Sequence, residues 1–160
     1  MTQKSLIINN LEFAKNQLEL SDRLVVAQLP RLAEILVNQE KSQVQFQLLG
    51  TGKQFRQPSL HLNITANLVV ICQRCLDEMV VNLNLNFNYL FSSIEISEAE
   101  ENDEIDWLEA NPEMDVCELI EDELLLALPI APTHAHDCSK LNTQSGDKPN
   151  PFAALKGLIK

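Results

Sequence analysis

Four residues in this 160-residue chain have the types and spacing of a metal clip. Cys72 and Cys75 stand in I-C-Q-R-C-L-D-E-M, residues 71–79. His134 and Cys138 stand in A-P-T-H-A-H-D-C, residues 131–138. A C-x2-C with an H-x3-C offers three thiolates and one imidazole, a donor set suited to zinc in a closed tetrahedron. Within each pair a short turn can aim both side chains at one ion. Other chemistries are open to these cysteines. A redox C-x2-C usually sits where a strand feeds a helix, whose N-terminus lowers the first thiol's pKa. Here strand patterns lie on both sides, which weakens that reading. A disulfide is rare in the reducing cytoplasm. Buried, inert cysteines with surface histidines are the plain alternative. Four strong donors leave no open position for a catalytic water, so a structural zinc site is preferred. His136 is the spare, able to replace His134 as ligand or to lie exposed. Cys117 reads most simply as a small core residue.

The clip needs elements that bring residues 72–75 to residues 134–138. Leu60, Leu62, Ile64, Ala66, Leu68 and Val70 alternate with His61, Asn63, Thr65 and Asn67. Beyond the cysteines, Val81, Leu83, Leu85, Phe87, Tyr89 and Phe91 alternate with Asn82, Asn84, Asn86 and Asn88. Long period-two patterns predict strands, and a short link makes them an antiparallel hairpin with C-Q-R-C at its tip. Val44, Phe46 and Leu48 predict a further strand. Residues 50–58 form a loop by their glycines and proline. Residues 21–39 become helical in their second half, with Leu32, Ile35 and Leu36 on one face and Pro30 in the first turn. Residues 5–20 show no clean period.

Residues 95–114 are acid-rich and predict an exposed acidic loop, with Trp107 and Leu108 as its anchor. Asp115 followed by Glu118 resembles a capping box. Cys117, Ile120, Leu124, Ala127 and Leu128 then share a helical face, Glu121 falls on the polar side, and Pro129 ends the run. Residues 139–150 read as a flexible linker to a short amphipathic helix, P-F-A-A-L-K-G-L-I-K. The expected fold is α+β, a single domain over residues 1–160. It has an antiparallel sheet built on the long hairpin, with a barrel-like curl as the variant. The acidic helix packs on that sheet, and the zinc clip closes the hairpin tip.

Charge is strongly segregated. Residues 1–74 hold eight Lys or Arg and five acids, residues 75–139 hold 17 acids and no Lys or Arg, and residues 140–160 hold four Lys and one acid. So acidic a stretch repels nucleic acid and suits a basic partner. No apolar run reaches the roughly 18 residues a membrane span needs. The first residues carry no secretory pattern, so the expected compartment is the cytoplasm.

Taken together, I-C-Q-R-C, E-D-E-L-L-L-A-L-P-I-A-P-T-H-A-H-D-C and K-P-N-P-F-A-A-L resemble the YceD family of large ribosomal RNA subunit accumulation proteins. The resemblance is close over residues 60–160 and loose before them. It implies a role in synthesis, processing or stability of large-subunit ribosomal RNA, with no implied catalytic activity. Relatives with cysteine in place of His134 make the exchange a zinc ligand position permits, which favours Cys72, Cys75, His134 and Cys138. The expectation is a non-enzymatic, monomeric ribosome-biogenesis factor that binds a basic protein or a pre-ribosomal particle. An RNA-processing enzyme is the alternative. Direct RNA binding should be weak, through Lys53 and Arg56 in the loop and Arg74 at the hairpin tip, with Lys148 and Lys156 as further bases.

Overall fold

The computed structural model describes residues 6–52, 57–91 and 105–139. In chain order the elements are β1 (Ile7–Ile8), α1 (Asn10–Lys15), β2 (Glu19–Leu24), α2 (Pro30–Ile35), β3 (Gln43–Thr51), β4 (Ser59–Ile71) and β5 (Glu78–Phe91). Then follow β6 (Asp106–Leu108), β7 (Met114–Asp115) and α3 (Val116–Ala127).

β4 and β5 pair along thirteen positions, from Ser59↔Leu90 to Ile71↔Glu78. Alternation fixes the register. Leu62 faces Phe87, Ile64 faces Leu85 and Leu68 faces Val81, while Asn63 faces Asn86 and Asn67 faces Asn82. A one-residue slip would turn the asparagines into the core. Val44, Phe46 and Leu48 of β3 continue the buried face, and β2 completes an antiparallel run.

The sheet departs from the expected all-antiparallel form. Its order is β2-β3-β4-β5-β6, and β6 joins β5 in parallel through Tyr89↔Asp106, Leu90↔Trp107 and Phe91↔Leu108. It is therefore a mixed sheet, and it is not closed into a barrel. β6 lies inside the expected acidic loop. Trp107 is 43% exposed, whereas Leu108 packs against the core. Of that loop, residues 95–104 lie outside the described residues. So do the linker from residue 140 and the C-terminal helix expected after it. β1 and β7 form a separate antiparallel ribbon.

Among the described residues, three α-helices cover the apolar face. α1 is capped by Asn9, whose side chain accepts from the Glu12 N–H at 3.1 Å. It lies directly on β3 at Gly50, where a Cβ would come within 2.5 Å of the Phe13 carbonyl oxygen and 2.9 Å of the Ala14 Cα. Only glycine permits that approach. α3 is capped by Asp115, which accepts from the Cys117 N–H at 2.9 Å. Val116, Cys117, Ile120 and Leu124 are buried, whereas Ala127 and Leu128 are half-buried.

Glu121 is not on a solvated face. Its carboxylate is 5% exposed and accepts from Arg31 Nε at 2.8 Å. It also accepts from the Leu32 N–H at 3.0 Å. Leu29, at the start of α2, offers no side-chain cap. A carboxylate from α3 thus satisfies a free N–H of α2's first turn, where the helix dipole also favours negative charge. Arg31 Nη1 makes a second ion pair, with Asp122 at 2.6 Å.

Candidate metal centre

The sheet ladder ends at Ile71↔Glu78, so residues 72–77 form the hairpin turn. Two bonds fold it. The Cys72 N–H donates to the Asp77 carbonyl at 3.0 Å, and the Leu76 N–H donates to the Cys72 carbonyl at 2.9 Å. The tight turn sets Leu76 at φ 62°, a left-handed conformation that costs a non-glycine residue about 1–2 kcal/mol. Cys72 and Cys75 point inward and are buried, while Gln73, Arg74, Leu76 and Asp77 face solvent.

The second pair arrives on the chain leaving α3. This segment is irregular, and two bonds tie it to the turn. The Gln73 N–H donates to the Pro132 carbonyl at 2.8 Å. Arg74 Nη1 donates to the His136 carbonyl at 3.2 Å. The 58 residues between Cys75 and His134 are thereby bridged, because α3 ends beside the hairpin tip.

The donor atoms of Cys72, Cys75, His134 and Cys138 all lie within 4.8 Å of one another. Cys72 Sγ is 3.6 Å from Cys138 Sγ. Cys75 Sγ is 3.5 Å from His134 Nδ1. All four cysteines are free thiols, and Cys117 stands apart on α3, its thiol pushed up by burial. His136 is exposed and outside the donor cluster, with its ring 4.9 Å from that of His134. The arrangement is compatible with a metal ion held by three sulfurs and one nitrogen.

The local field divides the two turn cysteines. Burial opposes ionisation of Cys72, but backbone N–H groups of Cys75, Arg74 and His134, with the Cys138 thiol, outweigh it and hold Cys72 down to about 5. The Asp77 N–H draws Cys75 downward, but burial and the sulfurs of Cys72 and Cys138 prevail and push it up to about 11. Sulfurs this close cannot all carry charge in the absence of a cation, and a bound cation removes that conflict. Sequence spacing picked out the four residues that cluster here. It held no sign of the amide donors around Cys72 or of the Arg74–His136 tie.

Arg74 is exposed at the tip, although one guanidinium nitrogen is engaged by His136. Lys53 and Arg56 lie outside the described residues, as do Lys148 and Lys156. Among the described residues no helix is long and apolar enough to cross a membrane.

Residues 60–159 match the family described as large ribosomal RNA subunit accumulation protein YceD, and the chain belongs to that family. The matched span contains all four candidate ligands. A curated relative from Haemophilus influenzae, named large ribosomal RNA subunit accumulation protein YceD, is 29% identical over 166 residues, covering 96% of this chain and 94% of the relative. No solved structure matches the chain.

Proposed function

We propose that this chain supports accumulation of large-subunit ribosomal RNA as a non-enzymatic cytoplasmic binding factor. Its hairpin tip is held by one structural zinc ion, and its direct contact is a basic protein, alone or within a pre-ribosomal particle. The zinc part rests on chemistry and distance. Zinc bonds of about 2.3 Å to sulfur and 2.0–2.1 Å to nitrogen imply tetrahedral edges of roughly 3.8 Å and 3.6 Å. The observed 3.6 Å between sulfurs and 3.5 Å between sulfur and nitrogen are close to these edges. Four protein donors complete such a tetrahedron, which favours a structural over a catalytic role.

The observation that carries the partner reading is charge segregation in a member of this family. Seventeen acids without one Lys or Arg between residues 75 and 139 oppose a polyanion and attract a basic surface. Affinity capture of the full chain from cells, with and without ribonuclease, tests it. A basic protein should remain bound after ribonuclease, and cells lacking the chain should show a lowered ratio of large- to small-subunit ribosomal RNA. Capture that vanishes with ribonuclease overturns the protein-partner reading. An unchanged RNA ratio overturns the role itself.

A further inference from the structure

The five-stranded sheet has two edges of opposite character. At one, β2 is six residues long and exposes Glu19, Asp22 and Arg23. Charges on an edge discourage another strand from pairing there. β5 forms the other edge over most of its length. β6 covers it only at Tyr89, Leu90 and Phe91, so among the described residues Glu78–Asn88 pairs on one side alone, with β4. From Met79 to Phe91 the strand has no charged residue, no proline and no glycine. None of the usual devices that blunt an edge is present between Met79 and Asn88. This uncharged run stands in a chain of net charge −11.

The apolar face also stops short at this edge. On β4, Leu62, Ile64, Ala66 and Leu68 are at most 1% exposed. Opposite them on β5, Phe87, Leu85, Leu83 and Val81 are only half-buried. A further strand would cover this stripe and pair the outward backbone N–H and C=O groups together.

The residue order points to the strand that fits. A basic segment finds no acid between Met79 and Asn88. A second copy of β5 finds its own complement. Ile105 leads into Asp106 beside Tyr89, so the usable run is Glu78–Asn86, with Asn82 at its middle. A second copy turned about a two-fold axis at Asn82, perpendicular to the sheet, runs antiparallel to the first. Val81 then faces Leu83, Met79 faces Leu85, Val80 faces Asn84, Glu78 faces Asn86, and Asn82 faces itself. The half-buried residues meet one another, and no charge meets a like charge. Such an isologous contact closes on itself as a dimer.

We propose that two copies of this chain pair antiparallel along Glu78–Asn86 of β5, joining their sheets into one across a two-fold axis at Asn82. The contact itself is uncharged while each copy is strongly acidic, so pairing should tighten as salt rises.

Sedimentation equilibrium of the full chain across the micromolar range tests this, with hydrogen exchange over the same range. The mass should rise from 18.0 kDa towards twice that value. Exchange should slow with concentration in Met79–Asn86 and stay unchanged in β2. Val80→Lys with Asn84→Lys opposes like charges at two points and should weaken pairing at least tenfold. Val80→Lys with Asn84→Glu opposes unlike charges at the same points and should restore it to within threefold of the parent. Both positions are exposed, so both variants keep the fold. The double-lysine variant is less negative than the parent, so its loss of pairing would not come from overall repulsion. A chain that stays monomeric overturns the proposal, whether its β5 amides exchange freely or are covered by its own chain at every dilution. A dimer that tolerates the two lysines overturns the chosen edge. A dimer that loosens as salt rises overturns the uncharged contact.

Discussion

The two ends of the β4–β5 hairpin are secured by different chemistry. At the base, Leu60, Tyr89, Leu90 and Phe91 are buried, and β6 extends the ladder beside them. At the tip, the turn exposes most of its residues, and the buried part is sulfur. Burial of apolar area holds the base whatever ions are present. At the tip, the two cysteines meet a second donor pair from a segment nearly sixty residues away in sequence, a set compatible with a metal ion. One hairpin thus has an apolar end and an end lined by candidate metal donors.

The largest effect should come from the base. Phe91 is fully buried. Phe91→Ala should cost about 3–5 kcal/mol in denaturant unfolding. Metal content by elemental analysis should remain one ion per chain. Loss of the metal in that variant would mean that the two ends are coupled.

Next comes the tip. Cys72→Ser should reduce bound metal at least tenfold and lower the melting temperature by less than Phe91→Ala does. A chelator added to the parent should cause the same loss, since bound metal stabilises only the folded state. His134→Ala should release metal more readily than His136→Ala, and the opposite order would reassign the fourth ligand. A parent indifferent to chelator would show that the tip, like the base, holds without coordination.

A smaller effect separates two acids of α3. Glu121→Ala leaves the Leu32 N–H without its partner and should cost about 1–3 kcal/mol. Glu118→Ala, at an exposed position, should stay within roughly 0.5 kcal/mol. Equal costs in urea titrations would contradict the role of Glu121 as the cap of α2. Smallest of all, Leu76→Gly should raise stability by about 0.5–1 kcal/mol by relieving the left-handed backbone. A loss there would indicate that the leucine side chain contributes more than its conformation costs.

The hairpin was legible in sequence because alternation persists over eleven residues on each side of a short link. Nothing shorter was as clear. Asp106–Leu108 is a strand only through its partner, since three residues in an acid-rich run show no period. Glu121 was misread for a related reason. A helical wheel places a residue relative to its own axis, and Arg31 and Leu32 of another helix decide whether that direction meets solvent. Ile35 failed in the opposite sense. It shares an apolar stripe with Leu32, yet α2 ends there and leaves it 49% exposed. The four candidate donors were proposed from spacing, since each pair is local, and the structure gathers them within 4.8 Å of one another. That the pairs meet depends on where α3 ends, which spacing does not encode.

Gly50 bears on which part of the chain must fold together. The match to the family starts at residue 60, just inside β4. Yet β3 pairs with β4 from Gln43↔Asn67 to Thr51↔Ser59, and α1 rests on the β3 backbone where Gly50 lacks a side chain. The span that matches the family model is therefore smaller than the portion that folds together. A fragment starting at residue 60 would cut through the sheet and bare one edge of β4, an open template for aggregation.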